Sequence, residues 1–233
     1  MSVPPDLDPR RGIHSYTRRG ERITPGQARA WAELWPRYGV TLTDDTTLDL
    51  DAWFGRHAPV VLEIGTGMGE TTALLAEAAP EINYLGAEVY RPGLAALLMR
   101  VRERGLTNLR LVRGDAVRLL REHLAADSLD GVRVFFPDPW PKARHHKRRI
   151  VEPAFVALAA SRLRPGGTLH LATDWEPYAD QMLAVCRDEP ALRNTSPDPA
   201  GWAPRPDWRP VTKFERRAVE EGRVVHDLLF VRG

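Results

Sequence analysis

The feature that most limits what this chain can fold into is its alternation of strand-length apolar runs with helical segments from Pro59 onward. The runs are "VVLEIG" from Val60, "NYLGAEV" from Asn83, "LRLVRGD" from Leu109, "GVRVFF" from Gly131 and "GGTLHLATD" from Gly166. Between them lie an alanine/leucine-rich segment through Ala79, "RPGLAALLMRVRERG", a short helix over Val117 to Leu124, a helix from Glu152 to Leu163 and "WEPYADQMLAVCRD". In the second of these, Leu94, Leu97, Leu98 and Val101 share one face and Gly105 is the stop. Strands that alternate with helices argue for a parallel sheet covered on both faces. The tail closes on another β-rich run, "RVVHDLLFVR".

The N-terminal part reads differently. Residues 1 to 22 are expected to be loosely ordered, with five arginines between Arg10 and Arg22 against Glu21 alone. A short helix then opens at Thr24 and Pro25 and is expected to stop near Pro36. Residues 41 to 57 form a polar connector with a possible helical turn from Leu50 to Phe54. The chain therefore divides into a basic, partly disordered arm over 1–45 and a domain over 46–233. The proline-rich "DEPALRNTSPDPAGWAPRPDWRP" is too long for an ordinary linker and is either functional or disordered.

Composition narrows the setting. Cys186 is the single cysteine, which excludes a disulfide framework and a cysteine zinc site. The N-terminus lacks the apolar core of a signal peptide, and no apolar stretch reaches transmembrane length. A cytoplasmic protein without membrane or metal partners is expected, monomer or homodimer. Formal net charge is only +2, so any cationic surface must be local.

"LEIGTGMGE" places Gly65, Gly67 and Gly69 in the first strand-to-helix turn, where open α/β sheets bind ligands. A glycine turn alone also serves any tight bend. The flanking Glu63 and Glu70 would repel a pyrophosphate, and the spacing is G-x-G-x-G. A cationic ligand without phosphate, S-adenosylmethionine, suits the turn better. Glu88 ends the second strand, where a carboxylate can take both ribose hydroxyls, and Asp115 ends the third, within reach of an adenine amino group. Either acid could instead just cap the next helix. Together they favour a Rossmann-like class I methyltransferase.

The fourth strand delivers Pro137–Asp138–Pro139–Trp140, a corner stiffened by its prolines. It is similar to the Asn/Asp–Pro–Pro–aromatic corner of amino-methyltransferases, with one residue inserted differently. Lys142, Arg144, Lys147, Arg148 and Arg149 follow at once, with His145 and His146 among them. Against Asp138 the run carries +4, more than the whole chain. An acidic-aromatic seat for a base beside a basic strip for phosphates accounts for both, although a charge run by itself is usually a solvated face.

With these residues in view, the sequence closely resembles bacterial tRNA (guanine-N7-)-methyltransferases. The resemblance rests on "EIGTGMG", "GAEVYRPG", "LTNLRLVRGDA", "FFPDPWPKARHHKRRIV", "LRPGGTLHLATDWEPYA", "RPVTKFERR" and "YTRRGERITPGQ". It implies a seven-stranded, mostly parallel sheet with helices on both faces, and methylation of N7 of the variable-loop guanine at position 46 of tRNA. It implies further that Glu63, Glu88, Asp115 and Asp138 contact S-adenosylmethionine, with Asp138 also catalytic. Lys142, Asp174, Thr212, Lys213, Phe214 and Glu215 would contact the substrate, and residues 144 to 149 the RNA. Thr66 stands where an aromatic is frequent, and His146 where Asn is common. Asp174 or Glu215 is expected to read the Watson–Crick edge of guanine, unless Asp174 only caps a helix. The alternatives are methylation of an exocyclic base amine and a non-catalytic RNA-binding protein on the same scaffold.

Overall fold

The computed structural model describes residues 21–43 and 47–233. Residues 1–20 of the basic arm expected over 1–45, and with them most of the stretch expected to be loosely ordered over 1–22, lie outside the described residues, as do residues 44–46.

Among the described residues eight strands form one sheet in the order β1-β4-β3-β2-β5-β6-β8-β7. They are β1 (Gly39–Thr41), β2 (Val60–Ile64), β3 (Asn83–Glu88), β4 (Leu109–Arg113), β5 (Leu129–Phe135), β6 (Leu163–Thr173), β7 (Leu192–Asn194) and β8 (His226–Arg232). The first six run parallel, and β8 pairs antiparallel with both β6 and β7. Seven of these strands make the expected sheet. The eighth, β1, is an addition: three residues that extend the edge beside β4, too short to be seen in a hydrophobic pattern.

The helices are α1 (Pro25–Tyr38), α2 (Leu50–Phe54), α3 (Glu70–Ala78), α4 (Arg91–Arg104), α5 (Ala116–Arg118), α6 (Pro153–Arg162), α7 (Glu176–Asp188) and α8 (Lys213–Glu220). Thr24 and Gln27 close a capping box on α1. The expected stop at Pro36 is corrected: the helix carries Pro36 in its last turn and ends at Gly39, whose N–H reaches the Trp35 carbonyl. So near the end, the proline forfeits one backbone bond without forcing a break. A π-turn over Leu119–His123 extends α5. Helix α8 was not visible in the apolar pattern, because only Glu215 and Ala218 of it are buried.

β2 is buried at every position, as a central parallel strand must be. Val61 joins Leu94, Leu97 and Leu98 of α4 on one face, while Leu62 and Ile64 join Phe155 of α6 and Tyr178 of α7 on the other. Strand order changes sides between β2 and β5, with β3 and β4 added on one side of β2 and β5 and β6 on the other, so the crevice beyond the carboxyl ends of β2 and β5 is the topological switch point. No helix among the described residues is long and apolar enough to cross a membrane.

Candidate active site

β2 runs into the glycine turn at that crevice. Gly65, Gly67 and Gly69 have φ of +80°, +56° and +75°, a region other residues enter only at a cost. A side chain at Gly65 or Gly67 would meet no atom within 4 Å, so both face open space. Gly69 is different, since a methyl there would strike Leu97 of α4. Gly93, in the first turn of α4, abuts the Gly67 carbonyl so closely that any side chain would overlap it. Nothing in the "RPGL" spacing marked Gly93; its importance comes from the packing of α4 on the turn.

The acids differ in what occupies them. Glu63, next to last in β2, is almost fully buried, and its Oε2 has no hydrogen-bond partner among the described residues. Burial pushes its carboxyl up to about 7, against the opposing pull of Thr72 and Arg133. Glu88 accepts from the backbone N–H of Gly67 (2.9 Å), Val89 (2.8 Å) and Tyr90 (2.9 Å). Burial still raises its pKa, and the charge of Asp138 adds to the rise. A carboxylate has about four acceptor positions, so Glu88 retains room for one further donor. Asp115 caps α5 by accepting from the Arg118 N–H at 2.8 Å. Its neighbours Gly114 and Ala116 line the cavity, whereas its own side chain does not.

Opposite the glycine turn stands the corner after β5. Phe136 and Trp140 flank it with φ of +51° and +44°, conformations that cost of order 1–3 kcal/mol each and persist only where surroundings enforce them. Phe136 is tied by its N–H to the Ala172 carbonyl at 2.7 Å. Pro137, Asp138 and Trp140 all line the cavity.

The basic run coils into a 3-10 helix over Ala143–Arg148. Lys142, Arg144 and Lys147 are exposed, His145 meets Trp140 edge-on at 5.9 Å, and His146 is half-buried. Arg148 places its guanidinium 4.9 Å over the Trp140 ring and reaches the cavity wall. Arg149 corrects the expectation of an unbroken RNA-contacting strip. It is 2% exposed, donating to the Pro139 carbonyl (2.9 Å) and Gln181 Oε1 (2.6 Å) and lying over the Tyr178 ring. It clamps the corner to α7 and is turned away from any phosphate.

Thr212, Lys213 and Phe214 line the cavity from the start of α8. Phe214 stacks toward Phe136 at 6.1 Å. The two acids expected at the guanine edge are committed elsewhere. Asp174 Oδ2 accepts from Arg223 at 2.8 Å, and it caps no helix. Glu215 is buried, accepting from Arg205 Nε (2.7 Å) and Arg209 Nη1 (2.7 Å). Glu215 therefore points away from the cavity, and the expectation that it meets the base is corrected.

The cavity so enclosed measures ≈540 Å³, within the range that buries a nucleoside-sized ligand. An unpaired buried carboxylate oxygen at one end, two glycines open to the cavity and an acid with one spare acceptor position fit S-adenosylmethionine. The orphaned Glu63 Oε2 suits its ammonium.

A family model described as "Putative methyltransferase" matches residues 57–228. A tRNA (guanine-N(7)-)-methyltransferase of Streptomyces avermitilis is 54% identical over 95% of this chain and 76% of its own length. Proteins of the same name from Dechloromonas aromatica and Acidovorax sp. are 55% and 52% identical, over 94% and 99% of this chain and 87% and 90% of theirs. Among solved structures, the 16S rRNA methyltransferase KamB superposes with a TM-score of 0.54 at 17% identity, over 80% of this chain and 95% of its own. That likeness concerns the fold alone.

Proposed function

The chain belongs to the tRNA (guanine-N(7)-)-methyltransferase family, and from that premise we propose that it methylates N7 of a guanine in tRNA with S-adenosylmethionine as donor. The observation that carries this reading is the match along nearly the whole chain to relatives bearing that name. We place the guanine in the variable loop and the enzyme in the cytoplasm, where tRNA is modified.

S-adenosylmethionine supplies, when bound, an electrophilic methyl on a positively charged sulfur. Glu63 would hold its ammonium, Glu88 a ribose hydroxyl, and the glycine turn would let its backbone approach. Guanine N7 carries an exposed lone pair and loses no proton on methylation, so no strong general base is required. The chain's contribution is orientation and compensation of the charge that develops as N7 becomes cationic. Asp138, on the cavity wall in a proline-braced corner, provides that negative charge. Trp140 and Phe136, held in strained conformations, border the space a base would enter. Lys142, Arg144, Lys147 and Arg148 offer cations for the RNA backbone beside it.

Incubation of bulk undermethylated tRNA with labelled S-adenosylmethionine, followed by nucleoside analysis, tests the reading. Label in N7-methylguanosine is expected. Label in N2-methylguanosine, or none, would overturn it.

A further inference from the structure

On the sheet face opposite α6 and α7, Glu63, Arg133 and His170 stand side by side across β2, β5 and β6. The segment 202–212 lies over the outer end of this face. Trp208 sits 4.1 Å from the Arg133 guanidinium and meets His170 edge-on at 5.5 Å. Next to it Arg209 is fully buried, donating from Nη1 to Glu215 Oε2 (2.7 Å) and from Nη2 to Asp227 Oδ2 (2.9 Å). Asp227 also pairs with His170 Nε2 at 2.7 Å, and Arg205 donates to Glu215 and to the Arg209 carbonyl. One guanidinium thus joins α8, through Glu215, to β8, through Asp227.

We propose that Arg209 is a positioning residue for the methyl-transfer site, holding the first turn of α8 on the cavity wall by bridging Glu215 to Asp227. The inference rests on the reading of that cavity as the place of methyl transfer.

Two observations carry it. The first is how little else docks α8. Of its eight residues only Glu215 and Ala218 are buried, while Phe214 and Val219 are exposed. A helix this short is marginal by itself, and one buried alanine supplies little apolar area. Its first turn is therefore attached through the Glu215 ion pair, while the Arg223–Asp174 pair holds the chain beyond its far end. The second is that the cluster is a poor device for stability. Buried ion pairs add little over apolar packing, and Arg209 Nε is buried with no hydrogen-bond partner among the described residues. The guanidinium fork does fix two carboxylates at set distances and angles. That rigidity is transmitted to Thr212, Lys213 and Phe214, which the next residue, Glu215, anchors. Phe214 is thereby presented to Phe136 beside Asp138.

Arg209→Lys keeps the charge and loses the fork. Hydrogen–deuterium exchange of residues 213–220 should then quicken by about tenfold or more while α4 exchanges as before. S-adenosylmethionine should bind with Kd within about threefold of the parent, and kcat/KM for tRNA should fall by about 10- to 100-fold. Unchanged exchange in α8 would overturn the proposal. So would faster exchange with kcat/KM for tRNA intact well below the melting temperature, the signature of a purely structural residue. If Arg209→Lys does not fold, Glu215→Gln carries the same measurements with the same outcomes. Should the parent enzyme fail to form N7-methylguanosine, the functional reading fails, and α8 exchange still decides whether Arg209 anchors the helix.

Discussion

Lowering the pH from 8 to 6 should weaken S-adenosylmethionine binding, and Glu63→Gln should abolish that dependence. Glu63 is buried with Oε2 unpaired and its carboxyl pushed up to about 7. If only the ionised form holds the ligand ammonium, the apparent Kd scales with one plus the ratio of protonated to ionised Glu63. With a pKa of about 7 that ratio is about 10 at pH 6 and about 0.1 at pH 8, so the Kd rises about tenfold, or about 1.4 kcal/mol. Binding at pH 6 should release about 0.9 proton, and at pH 8 about 0.1. Isothermal titration calorimetry in two buffers of different ionisation enthalpy measures both quantities. The unliganded protein should show the matching stability effect. Glu63's contribution is fully present below its unfolded value of 4.5 and is lost as pH rises through about 7, amounting to about 3 kcal/mol. The melting temperature of Glu63→Gln should therefore vary less between pH 5 and 8 than that of the parent. A pH-independent Kd in the parent, or the same pH slope in Glu63→Gln, would refute the reasoning and move the titration to another group.

Removing Arg144 and Lys147 together should lower the log–log salt slope of tRNA binding by about 2 if each meets one phosphate. Arg149→Ala should leave that slope unchanged and instead cost about 2–4 kcal/mol in denaturant unfolding, because it strands the Pro139 carbonyl and Gln181. Gly93→Ala should displace the Gly67 carbonyl, costing about 1–3 kcal/mol of stability together with loss of S-adenosylmethionine binding by calorimetry. Replacing the target guanine by inosine should cost about 1–3 kcal/mol in kcat/KM if a carboxylate reads the N2 amine. Because Arg223 holds Asp174 and the arginine cluster holds Glu215, that difference should persist in both Asp174→Asn and Glu215→Gln; a guanine–inosine difference that shrinks in either variant would restore that acid as the reader of the base edge.

Local sequence determined the parallel core and the location of the cofactor crevice. β2 through β6, α3, α4, α6 and α7 follow from apolar runs of the right length and from stops such as Gly105, because a strand buried on both faces and a helix with one apolar face each leave a periodic trace. The glycine turn, the acids at the ends of β2 and β3 and the Pro-braced corner were legible for a similar reason: their chemistry is carried by neighbours in the chain. Which side chain faces which partner was not local. Arg148 and Arg149 are adjacent, yet one overlies Trp140 at the cavity and the other is clamped under the corner by Gln181 of α7. Asp174 and Glu215 look equally free in sequence, but Arg223, Arg205 and Arg209, brought in from the folded C-terminal segment, had already taken them. The proline-rich excursion looked like loop or disorder because its order comes from Trp208 and Arg209 packing on Arg133, His170 and Asp227. A buried charge finds its partner wherever the chain returns to it, and only the tertiary structure decides that place, since desolvation makes the pairing compulsory without making its position along the chain predictable.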